Sequence, residues 1–283
     1  MKVREEDIKR LLEKAYRIRV HVLKMISKAG SGHPGGSLSC VDVITALYFY
    51  VMHHDPKNPN WPDRDRFVLS KGHAAPTLYA ALAESGYIPL EELENLRRVN
   101  SVLQGHPDRN RISGIEMSSG SLGQGLSIAN GMAMAGKIDN KNYRVYVLLG
   151  DGECDEGLIW EAAMTSAHYN LDNLVAIVDR NGLQIDGPTE KIMSLEPLVE
   201  KWHAFGWRVI EVDAYDVKEV LKAFNASKNK RGQPTVIIAH SIKGRGVSFM
   251  EWIKDFHGRA PTPTEIEKAL NELDSIYKRD VLA

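Results

Sequence analysis

The segments RVYVLLGDG (residues 144–152) and LVAIVDRNG (residues 174–182) decide the fold of this chain. Each begins with a short apolar run rich in β-branched residues and ends in a Gly-containing turn, which reads as a buried strand followed by a loop. Between them, Leu158 to Tyr169 has the pattern of a helix. Thirty residues separate Asp151 from Asn181. A strand, a helix and a return strand occupy about that length in a right-handed βαβ unit. The spacing therefore places Asp151 and Asn181 at the carboxyl ends of neighbouring parallel strands, where open α/β sheets bind ligands.

Working outward, Arg66 to Ser70, Trp207 to Val212 and Thr235 to Ala239 read as further short strands. Residues 5 to 29 carry Ile8, Leu11, Leu12, Ala15, Ile18, Val22 and Met25 on one helical stripe, broken by Gly30 and Gly32. Val41 to Val51 reads as a buried helix. Pro76 to Glu84 and Leu126 to Ala135 read as small-residue helices suited to close packing. Thr264 with Glu267 predicts a capping box for a final helix over about 264–279. Short apolar strands alternating with helices predict an α/β fold: a doubly wound, mostly parallel sheet with helices on both faces. The expected organisation is one domain over 1–283, with an N-terminal helical extension over about 1–60.

Of 283 residues, 43% are hydrophobic and 26% charged, so the chain can bury a substantial core. A net charge of −1 gives no general footprint for nucleic acid or an anionic membrane. Any polyanionic ligand must be held by local chemistry. Cys40 and Cys154 fit neither a disulfide framework nor a zinc pattern. The first ten residues are charged, unlike a signal peptide, and the apolar stretch from Val41 to Met52 is too short to span a bilayer. The expected location is cytoplasmic.

Residue types at the two loops suggest a metal-held diphosphate. Asp151 offers an anionic oxygen, Asn181 a neutral amide oxygen, and the loop after it a backbone carbonyl, that of Leu183. Three hard oxygens suit Mg²⁺, with Ca²⁺ or Mn²⁺ as substitutes, and leave positions for phosphate and water. Gly152 lets its N–H approach a phosphate, and a helix from about Glu156 is expected to add its dipole. No Lys or Arg lies between Leu148 and Val178, which favours a metal clamp over a lysine clamp. A divalent ion at about 2 Å has roughly three times the bare Coulomb energy of a lysine at about 3 Å.

GDG followed by Asn at this distance resembles the thiamine-diphosphate fingerprint. SGHPG (31–35), DRDRFVLSKGH (63–73), GHP (105–107), GSLGQG (120–125) and His257-Gly258 resemble transketolases in order along the chain. The resemblance implies thiamine diphosphate and a divalent metal held by Asp151, Asn181 and the Leu183 carbonyl. It implies diphosphate contacts from His73, the Gly152 amide and His257. It places Gly120, Ser121 and Leu122 beside the cofactor's rings, with Ser121 where the family usually has Pro. It implies that His33, His106 and His257 surround the sugar substrate as proton-exchanging groups. Glu156 and Glu161 match acids at the family's subunit interface; a second reading makes them helix-N-terminal acids favoured by the dipole. His21, His53, His54, His168, His203 and His240 read as structural or surface residues.

The implied reaction moves a two-carbon ketol unit from a ketose phosphate to an aldose phosphate. The family's pyrimidine-binding domain, with its catalytic glutamate and most substrate-phosphate arginines, has no counterpart in the sequence. The expectation is a C-terminal partner subunit that carries it, in an α2β2 assembly. Alternatives are a transketolase-like enzyme for an unusual sugar, a deoxyxylulose-phosphate synthase-like enzyme using pyruvate, and a non-enzymatic relic of the fold.

Overall fold

The computed structural model describes residues 3–228 and 232–282; residues 1, 2, 229–231 and 283 of the expected domain span lie outside the described residues. In chain order the helices and strands begin with α1 (Glu5–Ala29), α2 (Pro34–Ser39), α3 (Val41–Ala46), β1 (Arg66–Leu69), α4 (Ala75–Ser85), α5 (Gln124–Ile138) and β2 (Val145–Gly150). They continue with α6 (Gly157–His168), β3 (Leu174–Arg180), α7 (Thr189–Ile192), α8 (Leu198–Ala204), β4 (Arg208–Asp213), α9 (Val217–Ser227), β5 (Thr235–His240) and α10 (Pro263–Tyr277).

The strands form one parallel sheet, ordered β1-β2-β3-β5-β4. Every residue of β2 is buried, because both faces of the sheet are covered. Alternate side chains serve two cores. Tyr146, Leu148, Val175 and Ile177 join the side containing α1, α3, α4 and α9. Val145, Val147, Leu149, Ala176 and Val178 join the side containing α5, α6 and Trp202. Pairing of β2 with β3 aligns Gly150 with Asp179, so the loops carrying Asp151 and Asn181 leave the same sheet edge side by side.

One local expectation needs correction, and two further local features bear on the cavity. The SGHPGG stretch forms α2, with His33 at its N-cap and Pro34 in its first turn, where proline's missing N–H costs nothing. The capping box of α10 joins Thr262 and Glu265 rather than Thr264 and Glu267. Pro263 fixes the first helical position and so moves the cap two residues upstream. A 3₁₀ turn over Gly152–Asp155 follows the Gly152 loop, and α6 then starts at Gly157 with Glu156 as its N-cap, in line with the expected start at about Glu156.

Candidate functional site

A cavity of about 330 Å³ opens at the carboxyl edge of the sheet. Asp151, Gly152, Asn181 and Leu183 line it from the β2 and β3 loops; His33, His73, His106 and His257 line it from four other segments. Gly120 and Leu122 form a further wall, whereas Ser121 is exposed and is not among the lining residues.

The oxygen cluster is tightly fixed. Asp151 accepts hydrogen bonds from Gly152 N–H (2.9 Å), Gly182 N–H (2.6 Å) and the Arg180 guanidinium (3.3 Å). Asn181 donates its amide to Asp179 (2.9 Å), which leaves Oδ1 to accept Leu183 N–H (3.2 Å). The Leu183 carbonyl accepts Lys243 Nζ (2.8 Å). Each of these three oxygen-bearing groups keeps acceptor capacity for a cation. Among the described residues no group of three His, Cys, Asp or Glu side chains could hold a metal. A metal at this site therefore depends on the mixed carboxylate, amide and carbonyl set, whose hard oxygens fit Mg²⁺ or Ca²⁺. Burial, reinforced by Asp179, pushes the Asp151 carboxyl up despite the amides and Arg180. A divalent cation would offset that penalty.

Two buried lysines, both outside the stretch from Leu148 to Val178, converge on the site from elsewhere in the sequence. Lys71 follows β1 and forms a buried ion pair with Asp179, which also accepts from Ser39 Oγ (2.7 Å) and Ser241 Oγ. Burial opposes the Lys71 charge, but Asp179 outweighs it and raises the pKa. Lys243 follows β5 and donates to Leu183 and to His257 Nδ1 (2.8 Å). Burial and then Lys71 push it down to about 8. Arg180, just beyond that stretch, binds Asp151 as well. Sequence reasoning missed both lysines; the signal that could have found them is their position just past the carboxyl end of a strand.

The histidines form a cluster centred on His33. Its ring lies 5.4 Å from that of His73, 6.1 Å from His106 and 5.5 Å from His257, centroid to centroid. Gly36 permits the approach of α2, since a Cβ there would lie 3.0 Å from His73 Nε2. Burial, aided by Arg97, pushes His33 down to about 4. Burial and Lys243 push His257 down to about 3. His73 falls well below its ordinary value through burial and Lys71, and His106 is lowered by burial and Arg97. Near neutral pH the rings are uncharged, each with one donor and one acceptor nitrogen. His33 Nδ1 and Gln184 Oε1 are buried without partners, as polar atoms awaiting a ligand would be.

Glu156 and Glu161 lie away from these groups, exposed at the start of α6 beside exposed Leu158 and Met164. Cys40 and Cys154 are free and buried.

This is an α/β protein with a cavity at its strand tips, lined by carboxylate, amide and carbonyl oxygens on one side and by buried lysines and histidines on the other. A family model described as "Transketolase, thiamine diphosphate binding domain" matches residues 12–275, and the chain belongs to that family. The 6-deoxy-6-sulfo-D-fructose transketolase subunit SqwG of Clostridium sp. (strain MSTE9) is 48% identical, over 91% of this chain and 94% of the relative. An apulose-4-phosphate transketolase subunit of Phocaeicola vulgatus is 46% identical, over 90% of each. Homo sapiens transketolase is 42% identical over 99% of this chain but only 45% of its own length. The crystal structure of Campylobacter jejuni transketolase superposes with a TM-score of 0.90 at 34% identity, covering 97% of this chain and 43% of that one. The chain is of the transketolase kind, spans less than half of the single-chain transketolases, and nearly all of relatives that are themselves named subunits.

Proposed function

We propose that this chain is the diphosphate-binding subunit of a thiamine-diphosphate-dependent transketolase, with residues 1–283 acting as one such unit. The observation that carries the reading is the convergence of Asp151, Asn181, the Leu183 carbonyl, two buried lysines and four uncharged histidines on one cavity. Asp151, Asn181 and Leu183 would hold Mg²⁺. His73, Gly152 N–H, His257 and Lys243 would meet the diphosphate, and Gly120, Ser121 and Leu122 would lie beside the rings. The cofactor supplies the nucleophilic carbon and the electron sink when bound.

The chain's own residues orient the sugar, exclude water and exchange protons. His33, His106 and His257 can each accept from one hydroxyl and donate to another without first losing a proton. Glu156 and Glu161 would face the partner subunit, because they share their surface with exposed apolar side chains. Among the described residues no helix is long and apolar enough to cross a membrane. The proposal extends to a cytoplasmic α2β2 enzyme of pentose phosphate chemistry, on the family and on relatives that are named subunits.

The test is a ketol-transfer assay of the purified chain with thiamine diphosphate and Mg²⁺, with and without a separate subunit that carries a transketolase pyrimidine-binding domain. Activity only in the pair is expected; full turnover by this chain alone would overturn the split-enzyme reading. A second reading, a donor other than the common pentose and hexose phosphates, is favoured by relatives named for sulfofructose and apulose phosphate. Comparing those donors with xylulose 5-phosphate separates the two readings.

A further inference from the structure

We propose that Glu153 is a positioning residue that sets the Gly120–Leu122 wall of the cavity, and so governs recognition of the ring portion of the ligand. The inference rests on the functional reading above and assigns a residue to which that reading gives no role. Glu153 is only 2% exposed. Its Oε1 accepts Gly123 N–H (2.8 Å) and Ser70 Oγ–H, and its Oε2 accepts Gly150 N–H (2.9 Å). Ser70 Oγ in turn accepts Gly125 N–H (3.1 Å). One carboxylate thus ties the end of β2, the end of β1 and the start of α5 together.

The amides it serves explain why the tie matters. The first N–H groups of a helix have no partner within the helix. The start of α5 has no side-chain cap of its own. Glu153 and Ser70 supply the missing acceptors from two other segments. The chain just upstream, Gly120 to Leu122, has little freedom left. Gly123 has φ +86°, and a Cβ there would lie 2.9 Å from Glu156 Cβ. On the other side a Cβ at Gly72 would lie 2.9 Å from Gly120 N. The wall is therefore held between the Gly72 turn and the Glu153 carboxylate. Charged groups gather around Asp151, Lys71 and Lys243, so the anionic end of a ligand belongs there. Its ring portion, away from the anionic end, meets a wall such as this one.

The test separates the two halves of the ligand by calorimetry on the full chain assembled with its partner subunit, with Mg²⁺ and either thiamine diphosphate or inorganic pyrophosphate. In Glu153→Gln one acceptor oxygen becomes an amide donor facing another donor. The variant should bind thiamine diphosphate about tenfold more weakly, with pyrophosphate affinity held within about twofold. Equal loss for both ligands, or loss for neither, would overturn the proposal. Should Glu153→Gln fail to fold, Ser70→Ala must show the same preferential loss, and its absence is equally decisive. A wild-type pair of this chain and its partner subunit that takes up neither ligand would overturn the functional reading itself, and this inference with it.

Discussion

The two sides of the cavity are built in different ways. Its oxygen side comes from the loops after β2 and β3, adjacent strands joined by one helix. Its basic side comes from Lys71 and Lys243, which follow β1 and β5 in opposite halves of the chain. The oxygen side needs only one βαβ unit to form. The basic side needs the whole sheet, since β1 and β5 are separated by β2 and β3. Ligand chemistry can thus be split into a locally encoded part and one that depends on global folding.

The comparison breaks most visibly at Asp151. Asp151→Ala removes the one carboxylate of the proposed metal set, and metal-dependent thiamine diphosphate binding should fall by more than about a hundredfold in calorimetry. Stability should be only modestly affected. Unchanged occupancy would remove the oxygen side from the site.

Lys71 tests the opposite side, where binding and folding are linked. Lys71→Met leaves Asp179 buried and uncompensated, which costs about 3 kcal/mol by urea unfolding. The lower end of the usual range applies because Ser39, Ser241 and Asn181 still donate to that carboxylate. Pairing the change with Asp179→Leu should recover much of the stability without restoring ligand affinity. Recovery of both would show that the lysine acts only on the fold.

Acidification sharpens the same contrast. The folded chain holds His33 down to about 4, against an ordinary value of 6.5. Between these values the unfolded chain binds more protons, so this contribution is fully present above pH 6.5 and is lost as pH falls towards 4. The Tm of the ligand-free protein should drop across that window, and His33→Gln should flatten the drop. The smallest effect belongs to a control outside the cavity lining. Thr262→Ala removes the cap of α10 and should cost about 1 kcal/mol with no change in ligand affinity.

From the sequence alone, the strands from 66 to 239, their parallel arrangement and the pairing of Asp151 with Asn181 were legible. Periodicity and strand-to-strand spacing are local properties, and a right-handed crossover leaves few alternatives. Transketolase-like motifs also named the four histidines, though spacing gave no reason for them to meet. Only the tertiary structure decided that Lys71 and Lys243 face the same cavity and that Lys243 holds both Leu183 and His257. It alone revealed that Glu153 caps a distant helix. Such contacts depend on strand order and on which loops leave the same sheet edge. A one-dimensional pattern does not carry that information, because residues distant in sequence become neighbours only when the whole sheet has closed.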